Sequence, residues 1–282
     1  MPRAAVFGSA RAVTMSKGCD TMRLYAWIAA YAFRRHGTYR IAALSATFTN
    51  TIFGFIRAGV LIALWHSRPS LGGYDVADAI TFSFLTQALI EPMRIFGGGL
   101  DLTERIRTGD VAVDLHRPAD LQGWWLADDI GRTAFALVSR GTLPLLAGWL
   151  VFPLRWPAPA TWAAFAGAVL LAMLVSFGLR YLTSLVVFWV HDDRGVNGIS
   201  LITSMFFSGL TVPLVVFPGW LGTVAHLLPW AALIQLPADV FLGKHTDLFA
   251  VYAFQAAWAV ALLGAGRLLT SAARRKLVVN GG

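Results

Sequence analysis

Residues 161–190 read TWAAFAGAVLLAMLVSFGLRYLTSLVVFWV, and Arg180 is the sole charged side chain among them. A helix crosses the hydrocarbon core of a bilayer with about 20 predominantly apolar residues, so this run is long enough to span. The whole chain agrees. Its 282 residues are 57% hydrophobic and 13% charged, with mean hydropathy +0.63. Soluble domains carry about 25% charged residues, and a chain this poor in them could not cover its surface in water. The sequence therefore reads as an all-α, polytopic integral membrane protein. The single cysteine, Cys19, excludes an internal disulfide framework. Many of the tryptophans, among them Trp65, Trp124, Trp149, Trp156 and Trp189, lie where apolar runs meet polar ones, matching the preference of indole for the headgroup layer.

Outward from that run, five more segments are apolar enough to span, making six in all: about 41–64 with Arg57 inside, 76–96 with Gln87, Glu91 and Pro92, one within 124–152, 196–217 with Pro213 near its end, and 249–269. Two shorter apolar pieces, 220–228 and 231–241, are broken by Pro229 and Pro237. They read as a re-entrant or interfacial hairpin over 218–243, with one broken seventh span as the rival. Residues 22–40 are amphipathic: Leu24, Trp27, Ile28 and Tyr31 share a face, and Arg23, Arg34, Arg35 and Arg40 carry charge. That suits a helix lying in the interface. Residues 1–21 and 277–282 read as tails. The first has no signal-peptide core, and translation from Met1, Met15 or Met22 stays open.

Loop charges orient the six spans. Arg23, Arg34, Arg35 and Arg40 precede the first. Arg105, Arg107 and Arg117 follow the second, Arg194 follows the fourth, and Arg274, Arg275 and Lys276 follow the last. The alternate connections hold Arg68, Arg155 and Lys244. The positive-inside rule places both termini and the charged connections in the cytoplasm, in a cell (inner or plasma) membrane. On this reading the net charge of +8 marks membrane flanks, and no nucleic-acid partner is expected.

The chemistry of a soluble enzyme is missing. There is no GxxxxGK[ST], GxSxG or HExxH. His191, Asp192 and Asp193 sit together beside Arg194, which reads as a solvated turn rather than a metal site. The expectation is a non-enzymatic chain with no cofactor of its own. The connection over 97–123 is the most informative stretch. Seven of the fifteen acids fall between Asp101 and Asp129. A short helix is expected from Asp101 to Arg107, stopped by Gly109, followed by an apolar stripe at Val111, Val113 and Leu115 that ends at Pro118. Such a charged knob, with Ile106, Val111 and Leu115 as apolar anchors and Glu104, Arg105, Arg107 and Asp110 as rim, suits docking to a soluble partner. Its bland alternative is a solvated connection.

Charges inside spans are expensive. Glu91, Arg140 and Arg180 fall in one depth band, and a carboxylate paired with one or both arginines would relieve the cost. This cluster reads either as a bundle staple or as part of a gate. Arg57 would snorkel or meet Asp75 or Asp78. Ser204, Ser208 and Gly209 have the spacing of close helix contacts, within the chain or against a second subunit.

The pattern Ile106-Arg-Thr-Gly109-Asp-Val, then Leu115-His-Arg117-Pro118, resembles the cytoplasmic loop of ABC (ATP-binding cassette) type-2 exporter permeases, in the six-span branch of bacterial drug and natural-product operons. Tyr39-Arg40 before the first span resembles the same family, as do Phe207-Ser-Gly209-Leu-Thr-Val-Pro213, Phe217-Pro218 and Leu228-Pro229. The resemblance covers 22–276 as one transmembrane domain. It implies that 97–123 is a coupling loop seated on an ATPase, that 22–40 is an interfacial connecting helix, and that 218–243 dips into the outer leaflet. It also implies an ABC ATPase dimer as partner, holding ATP and Mg, and a second permease, in a heterodimer or a homodimer. The implied cargo is an apolar or amphipathic small molecule. A stand-alone secondary transporter would show repeated halves and broken midplane helices, and a membrane enzyme would show an acid or histidine cluster at one face; neither stands out.

Overall fold

The computed structural model describes residues 6–38, 40–69, 71–96, 99–116, 119–190, 193–245 and 247–280, with side chains undescribed at 6–20, 40–44 and 276–280. The described residues are helical without strands. In chain order the α-helices are α1 (Val6–His36), α2 (Arg40–Ser67), α3 (Val76–Ile90), α4 (Leu102–Thr108), α5 (Val111–Leu115), α6 (Leu121–Ala136), α7 (Thr142–Val151), α8 (Pro159–Val190), α9 (Arg194–Phe207), α10 (Gly219–Leu227), α11 (Gln235–Phe241) and α12 (Leu248–Asn280).

Among the described residues four continuous rods are long and apolar enough to cross a membrane: 45–67, 121–151, 159–190 and 248–275. The second joins α6 to α7 through one π-helical stretch, Leu137–Gly141. Pro144 explains that stretch. Its nitrogen carries no hydrogen, and its ring crowds the carbonyl four residues back, which belongs to Arg140. A wider turn absorbs both defects without breaking the rod.

Two expected spans are shorter than the apolar pattern suggests. α3 stops at Ile90, and residues 91–96 form a tight turn in which Arg94 has φ of 51°. α9 stops at Phe207, because the chain turns at Gly209 with φ of 85° and Pro213 follows. A methyl group at Gly209 would lie 2.7 Å from Oε1 of Gln235. Between α9 and α12 the α10 piece and the 229–241 piece are bent by 67°. α1 begins at Val6, so most of the stretch read as an N-terminal tail continues the amphipathic helix upstream. No proline interrupts residues 6–36.

Packing explains the arrangement. From Asp78 to Ile90, α3 is buried on every side, with α2 and α7 against it. Its Phe84 ring lies where Gly54 and Gly148 leave room. α8 and α12 form a second pair, stitched by polar side chains that donate to backbone carbonyls. Gln255 reaches Ala168 O at 3.1 Å and Ala232 O at 3.0 Å, and the Tyr252 hydroxyl donates to Ala164 O at 2.8 Å. In lipid these bonds hold helices together where burial of apolar surface no longer discriminates.

At the opposite end from α4 and α5 lies a polar network that the sequence reading missed. Arg155 contacts Asp75 and approaches Asp78 at 3.1 Å, and Lys244 also pairs with Asp78. Tyr74 donates to Asp239, and Gln235 donates to the same carboxylate at 2.9 Å. Burial first, then the Asp239 carboxylate, pushes the Tyr74 phenol above its ordinary range, so it remains a donor. Gln235 also accepts from Leu214 N at 2.8 Å. The network joins the α2–α3 connection to the 214–244 segment. Arg57, expected to snorkel or to meet Asp75 or Asp78, instead donates to the Thr86 hydroxyl at 2.9 Å and Gly209 O at 3.1 Å.

α1 lies along α6, held by Arg35 on Asp128 at 3.1 Å and by the edge-to-face pair Phe33–Phe135. The crossing is closest at Gly131, where a Cβ would sit 2.0 Å from the Ala29 carbonyl oxygen. Backbone cannot yield as a side-chain tip can. Gly131→Val should therefore detach α1, at a cost above the ~1–3 kcal/mol of ordinary overpacking. A bifunctional thiol cross-linker should join cysteines placed at 33 and 135 in the parent and not in this variant.

Candidate functional site

The site is built where α3 ends. Leu89 O and Ile90 O accept from Met93 N and Ile95 N, but the Glu91 and Pro92 carbonyls beyond them have no continuing helix, and the C-terminal end of a helix carries partial negative charge. Arg132 of α6 supplies the missing donors. Its guanidinium reaches Glu91 O at 3.0 Å and Pro92 O at 2.9 Å. The same side chain is held by Asp129 at 2.8 Å. From the other side Arg180 of α8 grips Asp129 at 3.1 and 2.6 Å. Ser176 of α8 donates to Met93 O at 2.7 Å. Asp129 is 2% exposed, so its burial is tolerable through those two arginines alone.

Of the three intramembrane charges read from sequence, the structure brings two together. Glu91 pairs with Arg140 at 3.1 Å. Arg180 turns to Asp129 instead. Equal depth along two helices does not mean a shared azimuth, and Asp129 lies deeper in the bundle than Glu91. The periodicity of α6 carried the missing signal, since Asp129 and Arg132 are three residues apart on one face.

The charged knob forms as two short helices, α4 and α5, turned at Gly109 with φ of 85°. A side chain would resist that conformation. Leu102 and Val111 are fully buried, and Ile106 and Leu115 pack on the same cluster, which includes Trp125, Phe177, Tyr181 and Leu185. The three expected anchors, Ile106, Val111 and Leu115, thus face the chain's own core. A seven-residue amphipathic helix has one apolar face, and the ends of α6 and α8 take it. Arg105 is bound to Asp114. That hydrogen bond first, with the carboxylate's charge, raises the Arg105 pKa above its usual value. Glu104, Arg107, Thr108, Gly109, Asp110 and Ala112 remain exposed, with Val113 as an apolar residue 62% exposed among them. Arg107 pairs with Glu104 at 3.1 Å and reaches Asp193 at 4.0 Å. Arg117 and Pro118 lie outside the described residues.

The knob is tied to the junction. Ser184 of α8 accepts from Thr103 at 3.0 Å and from Leu100 N at 3.0 Å. The Asn197 side chain of α9 accepts from Gly99 N at 3.2 Å and donates to Asp193 at 3.1 Å. These bonds tie the start of α4 to α8 and, through Gly99, to α9. Ser204, Ser208 and Gly209 are occupied within the chain: all three are buried, and Ser208 O accepts from Gln235 N at 3.0 Å. The outward face of α9 carries Ile199, Ile202 and Phe206. No cluster of three or more potential metal ligands occurs among the described residues.

Residues 50–281 match the family model described as ABC-2 family transporter protein. No curated protein and no solved structure matches the chain.

Asp129→Asn should leave two buried arginines without a carboxylate and cost about 3–5 kcal/mol. Glu91→Gln should cost less, because Glu91 and Arg140 are partly exposed and such pairs are worth less. Thermal midpoints of the two variants in detergent should fall in that order.

Proposed function

The chain belongs to the ABC-2 family of transporter proteins, and from that premise we propose that it is the permease subunit of an ATP-driven exporter. It is a multi-pass membrane component of a transport system. The finer reading is that a separate ABC ATPase dimer binds α4–α5 and hydrolyses ATP with Mg, while this chain binds neither and catalyses nothing. The cargo is an apolar or amphipathic small molecule, moved across the cell membrane. A second permease, identical or different, completes the pathway, with the exposed Ile199, Ile202 and Phe206 on α9 as its contact face.

The observation that carries this reading is the construction of the α4–α5 knob. Its apolar side is fused to α6 and α8, and its outer side shows a charged rim around Val113. A lever needs both features: a face a soluble partner can grip, and rigid attachment to what it moves. Closure of the ATPase pair would press on this rim. Ser184 and Asn197 would pass the displacement to α8 and α9, and Arg132 and Arg180 would pass it to the end of α3.

The topology that fits is six spans, with α3 plus its 91–96 turn and α9 plus its 208–213 turn as two of them. Each is about 21–23 Å long as helix, short of the ~30 Å core. Irregular backbone can complete a crossing where it is buried in protein, as at Met93 and Ser208. The 218–243 hairpin then re-enters one leaflet, and the basic flanks put both termini in the cytoplasm.

A cysteine at Asp110 should cross-link to the co-expressed ATPase. Val113→Asp should lower transport at least tenfold with normal membrane insertion, since truncating a central apolar anchor commonly costs ~2 kcal/mol or more. Wild-type transport by that variant, with no cross-link from position 110, would falsify the docking assignment. A C-terminal reporter should be active only in the cytoplasm; activity on the far side would establish an odd number of spans.

A further inference from the structure

Arg94 is the feature that the junction leaves unexplained. It is the one described non-glycine residue with positive φ, a conformation that costs free energy and persists only where its surroundings impose it. They do so here: Arg94 N donates to Glu91 O at 3.1 Å, Ile95 N donates to Ile90 O at 3.1 Å, and Met93 O is held by Ser176. The strained turn delivers a guanidinium whose Nε is buried with no hydrogen-bond partner among the described residues. The neighbouring acids are engaged elsewhere, Asp129 by Arg132 and Arg180 and Glu91 by Arg140. Asp101 lines the small polar space behind Arg94 without forming an ion pair with it. Arg94, Arg132, Arg140 and Arg180 thus outnumber the acids among them, Glu91, Asp129 and Asp101, by one, leaving the junction electropositive.

Arg94 also lines a cavity of about 260 Å³ between α8, α9 and the 93–96 turn. Arg180, itself held by Asp129, lines it as well, together with several hydroxyls such as those of Thr183 and Ser200, and Phe96, Leu179 and Leu233 provide apolar wall. An arginine with no ion pair among the described residues, in a crevice that combines polar groups with apolar wall, is complementary to an oxyanion carried on a hydrocarbon chain. Sites enclosing a whole drug-sized ligand run to ~300–1,000 Å³. This one has room for a headgroup and its first few carbons, with the rest of the tail outside.

We propose that the crevice binds the phosphate or carboxylate headgroup of a single-chain amphiphile, with Arg94 as its counter-ion. The proposal rests on the permease reading and narrows its cargo to anionic amphiphiles. The headgroup would bridge the 93–96 turn to α9, two segments already joined to the α4–α5 knob through Gly99 and Asn197. Occupancy of the crevice would then be sensed at the knob.

The test is binding of dodecyl phosphate to the purified full chain, read as a saturable rise in thermal midpoint. Inorganic phosphate and dodecyltrimethylammonium serve as controls. Arg94→Gln should weaken dodecyl phosphate about tenfold or more, the loss expected for one hydrogen bond to a charged group. Gly198→Leu is a second variant, which keeps the charge and fills the space: Gly198 lines the crevice, and a Cβ there meets nothing within 4 Å. It should abolish the response without unfolding the chain. An equal response to either control, or unchanged affinity in both variants, overturns the proposal.

Repeating the titration in phosphatidylcholine and phosphatidylglycerol nanodiscs separates two sources of the same chemistry. Weaker binding in phosphatidylglycerol assigns the crevice to a bilayer lipid, and equal binding assigns it to cargo. Co-purification of the ATPase is scored in parallel. Binding without a captured ATPase supports the crevice and sinks the permease reading. Capture without binding sinks the crevice alone.

Discussion

Asp129, clamped between Arg132 and Arg180, is the interaction on which the rest of the structure depends. A carboxylate this deeply buried would be intolerable alone, and so would either arginine. Together they form a junction from which α3, α6 and α8 cannot be separated without exposing an uncompensated charge to lipid. Arg132 extends the junction further, because its free donors satisfy the carbonyls where α3 ends. The short α3 is possible because another helix supplies what its own next turn would have supplied.

The same principle governs the opposite end with different chemistry. There Tyr74, Gln235 and Asp239 form a neutral-and-charged network, and Asp75, Asp78, Arg155 and Lys244 form an ionic one. The stretch between α9 and α10 has one short 3-10 turn, Leu214–Val216, and no α-helix of its own. Gln235 braces it by accepting from Leu214 N, while its backbone N–H donates to Ser208 O. Irregular backbone is confined to places where protein groups, not lipid, face it.

At the end nearer the junction the α4–α5 knob resolves a tension that a short helix always meets. It has too few residues for two apolar faces. The inner face goes to the chain's own core through Leu102, Ile106, Val111 and Leu115, and what projects outward is mostly polar. On the proposed docking, such a surface would draw its partner by charge and register, with Val113 as the exposed apolar side chain among the rim charges. The charge order along the rim, Glu104, Arg107 and Asp110, alternates in sign, which favours orientation over raw affinity.

What the amino-acid sequence determined by itself was the solvent and the helical class, because hydropathy and length are properties of each segment alone. The 159–190 rod, the basic flanks, the stop at Gly109 and the two short pieces after α9 were legible on that basis. So was the family, through the motif around Ile106 and Gly109. The tertiary structure decided which charges meet. Arg180 and Glu91 share a depth, yet only azimuth around the bundle selects Asp129 for one and Arg140 for the other. It also decided where α3 and α9 end, since apolar residues continue past Ile90 and Phe207 and the helices stop at turns that distant side chains satisfy. Ile106 faces inward for the same reason. A periodicity shows that a helix has an apolar face, and only the neighbouring elements determine what covers it.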